Sequence, residues 1–204
     1  MDPFQRRKLG SSSVMLPQMG FGGAPLGDLF TRITDAEAQA TLTAAWDAGI
    51  RYYDTAPWYG RGQSEHRFGR HLYHRPRGEA ILSTKVGRVL SAPANPATFD
   101  RGIWAGGLSF DIRFDYSYDG IMRAYEDSLQ RLGMNTIDIL IIHDLDYWHH
   151  RTEALVSAHL SQLATSGYRA LAELKARGQA VKVLPYGKRS RPQRRTVTPG
   201  ELRV

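Results

Sequence analysis

Ile137-Asp138-Ile139-Leu140-Ile141-Ile142-His143 is the stretch whose reading decides the fold. Four consecutive aliphatic residues are too few for a helix of ordinary length, and they lack the alternation of a strand with one wet face. They fit a strand covered by helices on both sides, the condition of a parallel sheet in an α/β protein. The run ends in a histidine, and two other β-rich segments also end in chemistry: Ile50-Arg51-Tyr52-Tyr53-Asp54-Thr55 and Ala80-Ile81-Leu82-Ser83-Thr84-Lys85.

Helical signals separate these strands. Thr34-Asp35-Ala36-Glu37 is a capping box, in which the Thr hydroxyl and the Glu carboxylate satisfy free helical amides, and Ala48-Gly49 supplies the stop. Ser64 is read as the cap of a second helix running to about Leu72. Tyr118 to Leu132 carries Ile121, Met122, Tyr125, Leu129 and Leu132 at helical spacing, and a fourth helix is expected from Leu163 to Ala176. Residues 14 to 24 read as a hairpin and a first buried strand that ends in glycines. Alternating strands and helices with right-handed crossovers leave a doubly wound sheet or a (β/α) barrel.

Residues 86 to 117 form one long insertion, rich in Pro, Gly and Asn, with Phe99, Trp104, Phe110 and Phe114 along it. A segment of this length inside a compact domain is usually functional, and its aromatics favour an ordered lid. From Lys182 the chain turns Arg- and Pro-rich without helical or alternating periodicity. Two parts are therefore expected: a domain over 1–181, and a basic tail over 182–204 that is disordered or out of frame.

Composition excludes several classes. The 204 residues are 42% hydrophobic and 23% charged, an ordinary globular balance. No apolar run approaches the ~20 residues of a membrane span, and the start has charge but no apolar segment behind it, so no signal peptide is expected and a cytoplasmic location is the default. With no cysteine, disulfides, thiolate metal sites and a Cys nucleophile are excluded. The net charge of +7 belongs to the tail: seven Lys/Arg and one Glu fall at or beyond Lys182, leaving a nearly neutral body. A basic run without interleaved aromatics gives no reason to expect nucleic-acid binding. His71 and His74 share a helix face but lack a further ligand set nearby, so no metal site is expected.

Asp54, Lys85 and His143 each stand at the C-terminal end of a predicted strand, with Tyr59 in the loop after Asp54. That end of a parallel α/β fold carries the active site. A tyrosine hydroxyl is a poor proton donor at neutral pH until an adjacent ammonium favours its phenolate. Lys85 is placed to do this, Asp54 to orient Lys85, and His143 to donate a hydrogen bond to an oxygen gaining negative charge. The set suits carbonyl reduction. Trp58, Tyr147 and Trp148 are open between pocket lining and simple core.

The segments Asp54-Thr55-Ala56-Pro57-Trp58-Tyr59-Gly60, Ser83-Thr84-Lys85 and Ile137 to His143, in this order and at these separations, resemble the aldo-keto reductase family. The resemblance covers residues 14 to about 180. The run Gly20 to Gly27, the long insertion and Asp144-Leu145-Asp146-Tyr147-Trp148 are most similar to its aldose and pyridoxal dehydrogenase branch. It implies a (β/α)8 TIM barrel with an N-terminal hairpin, NADP or NAD across its top, and Tyr59 as general acid or base opposite hydride transfer. Gly22, Gly23 and Ala24 would border the nicotinamide, with Asp54 nearby. The substrate would be an aldehyde, ketone or aldose, exchanged with an alcohol or lactone.

Such a barrel usually needs about 250 residues, and four βα units are legible here. The resemblance stops near residue 181, so an incomplete barrel is expected, with an unpaired strand edge that could favour a homo-oligomer. The rival reading is a catalytically silent fragment or interaction protein that keeps the ancestral residues.

Overall fold

The computed structural model describes residues 2–178 and the backbone of residues 182–185. An antiparallel hairpin opens the chain, β1 (Arg6–Lys8) against β2 (Met15–Pro17). Five strands then build one sheet: β3 (Phe21–Gly22), β4 (Tyr52–Asp54), β5 (Ile81–Val86), β8 (Ile139–Ile142) and β9 (Lys182–Pro185), adjacent in that order and parallel throughout. The insertion carries a second hairpin, β6 (Arg88–Ser91) with β7 (Asp111–Phe114). Helices α1 (Asp35–Asp47), α2 (Gln63–Leu72) and α3 (Tyr118–Leu132) connect the strands. After β8 come α4 (Tyr147–His150), α5 (Glu153–Gln162), a π-helical turn (Leu163–Gly167) and α6 (Tyr168–Ala176). This is part of a (β/α)8 barrel: of the two arrangements that the order of elements leaves open, the strictly sequential strand order, without reversal, is that of the barrel.

Period-two alternation divides each strand between two cores. On the helix side, Tyr53, Leu82, Val86, Leu140 and Ile142 pack with Leu42, Trp46, Phe68, Ile121 and Leu171. On the other face Ile139 and Ile141 pack with Val14, while Leu9 and Leu16 of the hairpin region, Tyr52 and Ile81 close over them. Both faces of β8 are buried, which is why its sequence shows no alternation. Thr34 caps α1 reciprocally with Glu37, and α3 spans the expected residues with Ile121, Tyr125 and Leu132 buried.

Several expectations need correction. The cap of α2 is Gly62, in the left-handed region, because the Ser64 hydroxyl is engaged elsewhere, with the Gly23 carbonyl and Thr55. The expected helix 163–176 is a π turn followed by α6, and α5 precedes it unannounced. No residue of α5 is buried, so it has no apolar face to mark it in the sequence. The insertion is ordered, as its aromatics favour, with β6 and β7 in register from Arg88↔Phe114 to Ser91↔Asp111 and a bridge from Leu29 to Trp104. Instead of starting a tail at Lys182, the chain adds β9 beside β8, from Ile139↔Lys182 to Ile142↔Pro185. The expectation for residues 186–204 lies outside the described residues.

Candidate active site

Asp54, Lys85 and His143 come together because their strands pair in register. Gly22 lies opposite Asp54, Asp54 opposite Ser83, and Lys85 opposite Ile141, two residues before His143. Alternation turns Tyr52/Asp54, Ile81/Ser83/Lys85 and Ile139/Ile141/His143 to one face, with aliphatics deep and polar groups at the C-terminal end. The base of α2 is tied to β5 by Thr84, which donates to Glu65 at 2.6 Å; Arg131 of α3 meets the other oxygen of Glu65 at 2.6 Å.

Lys85 is the centre of the group. It is 2% exposed, and its Nζ donates to Asp54 Oδ2 and to the Thr55 carbonyl, each at 2.8 Å. Ser83 donates to the other Asp54 oxygen at 2.6 Å. Nζ also lies 4.6 Å from the centroid of the Tyr59 ring. Burial pushes the Lys85 ammonium towards deprotonation, but the Asp54 carboxylate and hydrogen bonding with Asp54 and Tyr59 outweigh it, so its pKa is raised and Lys85 stays charged.

Tyr59 opens a tight turn, Tyr59–Gly62, in which Gly60, Arg61 and Gly62 all have positive φ. The loop after β3 presses on this turn: a Cβ on Gly27 would lie 2.3 Å from the Gly60 nitrogen and 2.4 Å from the Tyr59 carbonyl carbon. The small residue at 27 therefore sets how far Tyr59 sits from the sheet. Its ring meets that of His143 edge-on at 6.1 Å and that of Trp104 at 5.9 Å.

His143 is 2% exposed. Desolvation first, then the positive charges of Arg88 and Lys85, hold its pKa well below the usual histidine value, so the ring is neutral at pH 7. Its backbone is clamped by the Tyr116 hydroxyl, which donates to its carbonyl at 2.6 Å, and by its own N–H donating to Val86 at 2.9 Å.

The glycines of the β3 end divide. At Gly22 a side chain would meet nothing within 4 Å, so open space stands beside Asp54. At Gly23 a Cβ would lie 2.3 Å from the Phe68 ring and 2.9 Å from the Asp54 carbonyl oxygen. Gly23 is thus required by packing, and its face turns into the body rather than outward. Ala24 follows it as the half-buried N-cap of a short 3-10 turn.

Three contributors escaped the sequence reading: Trp104, Arg88 and Asp144. Trp104 is 2% exposed and meets the Trp58 ring at 5.4 Å, so the insertion reaches the site. Arg88 lies over the Trp58 ring at 4.2 Å and donates to Asp144 Oδ2 at 2.5 Å. The aromatics of the insertion were a signal for Trp104; Arg88 opens a hairpin strand of four residues, too short to show its alternation in the sequence, and Asp144 lies in a left-handed turn that has no period. Trp58 lines the group, whereas Tyr147 and Trp148 are largely exposed. Asp144, Asp146 and His149 each bring one ligand atom within 4.8 Å of the others, but the Arg88 guanidinium already fills the place of a cation at Asp144. His71 packs edge-on to Trp46 inside the core.

Among the described residues no helix is long and apolar enough to cross a membrane.

The sequence profile of the Aldo/keto reductase family matches residues 18–183. Pyridoxal 4-dehydrogenase of Microbacterium luteolum is 42% identical over 186 residues, covering 85% of this chain and 53% of that protein. D-threo-aldose 1-dehydrogenase of a Pseudomonas species is 42% identical over 153 residues, covering 72% of this chain and 46% of its own. Among solved structures, an aldo-keto reductase from Bacillus halodurans in its holo form superposes with a TM-score of 0.65 at 27% identity, covering 89% of this chain and 50% of that one. The chain spans about half the length of the curated relatives it matches. Profile, relatives and architecture agree: the chain belongs to the aldo/keto reductase family.

Proposed function

We propose that this chain carries the acid/base centre of an NAD(P)-dependent oxidoreductase that interconverts a carbonyl or aldose with an alcohol or lactone. Tyr59 exchanges the proton. The observation that carries the reading is the buried Lys85 ammonium, held by Asp54 at 2.8 Å and set 4.6 Å from the centre of the Tyr59 ring. A charge placed in this way favours the phenolate that remains when Tyr59 gives its proton to a substrate oxygen, and so lowers the barrier to transfer. Because the charge is already desolvated and fixed, little reorganisation accompanies the step.

His143, a neutral imidazole beside Tyr59, donates a hydrogen bond to the same oxygen. Asp54 holds Lys85 through one carboxylate oxygen while Ser83 fixes the other. Trp58 and Trp104 form an apolar wall that limits water at the reacting carbon. The open space at Gly22, beside Asp54, is the feature that fits a flat nicotinamide ring, with Ala24 at its border. When bound, the nicotinamide supplies or accepts the hydride. Sugar and carbonyl substrates are favoured by the names of the relatives, a pyridoxal and an aldose dehydrogenase.

The test is Tyr59→Phe in this chain, assayed with NADPH and NADH on aldehydes and aldoses. Turnover by the parent chain with a loss of about 100-fold or more in the variant is expected, at the scale of removing a positioned general acid. Equal turnover in both, or none in the parent chain, overturns the proposal.

A further inference from the structure

Arg67 stands on α2, takes no part in the chemistry proposed above, and is buried. A buried guanidinium is costly unless its donors are met, and all three of its nitrogens donate here. Nη1 donates to Asp28 Oδ1 at 2.6 Å and to the Leu26 carbonyl at 2.8 Å, Nη2 to the Ile33 carbonyl at 2.9 Å, and Nε to Asp35 Oδ1 at 2.9 Å. Every one of these acceptors belongs to residues 26–35, the connection from β3 into α1. One side chain thus fastens that connection to α2.

Asp28 extends the fastening to the insertion. It is fully buried, in the left-handed region with φ of 62°. Gln63 donates to its second oxygen at 3.2 Å, and the Ala105 N–H donates to its carbonyl at 2.9 Å. A Cβ on Gly106 would run into its carboxylate, so the two chains touch without a gap. The Tyr59 turn is clamped between these two segments. Gly27 abuts the Tyr59 carbonyl carbon and the Gly60 nitrogen from one side, and from the other the Leu108 N–H donates to the Gly60 carbonyl at 2.9 Å. The turn runs on into α2 at Gln63, and Arg67 follows one helical turn later.

We infer that Arg67 is a positioning residue for Tyr59: by holding the β3–α1 connection and, through Asp28, the insertion against α2, it sets where the Tyr59 turn stands relative to Lys85 and His143. This rests on the proposed function, in which Tyr59 exchanges the proton. The requirement is for the planar fork and not for charge alone. A lysine keeps a cation beside Asp28, but its single compact ammonium cannot meet Leu26, Ile33 and Asp35 at the same time. Asp35 is largely exposed, so the pair that matters is the buried one with Asp28.

The experiment reads the Tyr59 ring by 1H–13C correlation on the 204-residue chain labelled with ring-13C tyrosine, its signals assigned by their loss in Tyr59→Phe. Those signals report position because the rings of His143 and Trp104 lie 6.1 and 5.9 Å away. In Arg67→Lys the Tyr59 signals are expected to move or to double, while those of Tyr125 in the helix-side core stay in place. Arg67→Met/Asp28→Asn, which removes both buried charges and keeps a residue that tolerates the left-handed region, is measured beside it with the same expectation. Unchanged Tyr59 signals in a variant that folds overturn the inference. So does an equal movement of Tyr125, or loss of folding in both variants, since either assigns Arg67 to the fold as a whole. With turnover in the parent chain, Arg67→Lys is expected to lower kcat by about 10- to 100-fold with KM near the parent value, the scale of a misplaced reacting group; a raised KM at unchanged kcat counts against the inference. The ring signals decide without turnover, so failure of the proposed function, seen in the Tyr59→Phe assay, is distinct from failure of this assignment.

Discussion

Lys85 and His143 answer burial in opposite ways. Lys85 keeps its charge because Asp54 and Tyr59 compensate desolvation, whereas His143 loses its charge because desolvation, Arg88 and Lys85 act together. The second case has a consequence for stability. A histidine whose folded pKa is depressed binds its proton in the unfolded chain first, at pH below about 6.5. The stability tied to neutral His143 is therefore fully present above that pH and is lost as pH falls towards the folded value. For one proton the slope is up to about 1.4 kcal/mol per pH unit. Urea midpoints at pH 7.5 and 5.5 should show this fall, and His143→Gln should reduce it; an equal fall in the variant would assign the effect to other groups. Asp54, Lys85 and His143 were legible as candidates because each ends a β-rich run, where direction follows from alternation. Arg88 and Asp144 were not, since a four-residue hairpin strand is too short for its alternation to show and a left-handed turn has none.

At the level of elements, the position of the Tyr59 turn depends on contact between loops more than on regular structure. Gly27 lets the segment after β3 touch the Gly60 nitrogen, and a methyl group there has backbone, not a flexible side chain, in its way. Gly27→Ala should cost about 1–3 kcal/mol by overpacking and displace Tyr59, lowering turnover more than the stability loss alone accounts for. Thermal melts with parallel assays decide this, and an unperturbed variant would show that the two loops yield independently. The strands and α3 were readable because apolar periodicity dictates them, and α1 because its capping box marks the start. The close approach at Gly27 was not readable, since a glycine in a sequence does not say what it touches. Likewise, Ser64 resembles a helix cap, but its hydroxyl joins Gly23 and Thr55, and so ties α2 to the ends of β3 and β4.

Across the molecule, the five-stranded sheet separates two cores. One is an aliphatic and aromatic layer beneath the helices; the other is a smaller cluster on the opposite face, covered by the N-terminal hairpin region. The second cluster lies below Asp54, Ser83, Lys85 and His143 on the same strand faces, so the packing that orders the sheet also fixes the polar end. The barrel class was legible from the order of elements and the motifs at three strand ends, and the insertion's role was partly legible from its aromatics. Its hairpin and the extra strand β9 were missed because short segments of mixed polarity carry little periodic signal. That these strand ends form a working nicotinamide-dependent site can be checked by titrating the purified chain with NADPH and NADH while following tryptophan fluorescence. Trp58 and Trp104 stand beside Tyr59 and report on the space next to it. Saturable quenching by at least one of the two nucleotides, weakened by Gly22→Val, is the predicted result; no saturable quenching by a folded chain would contradict the claim.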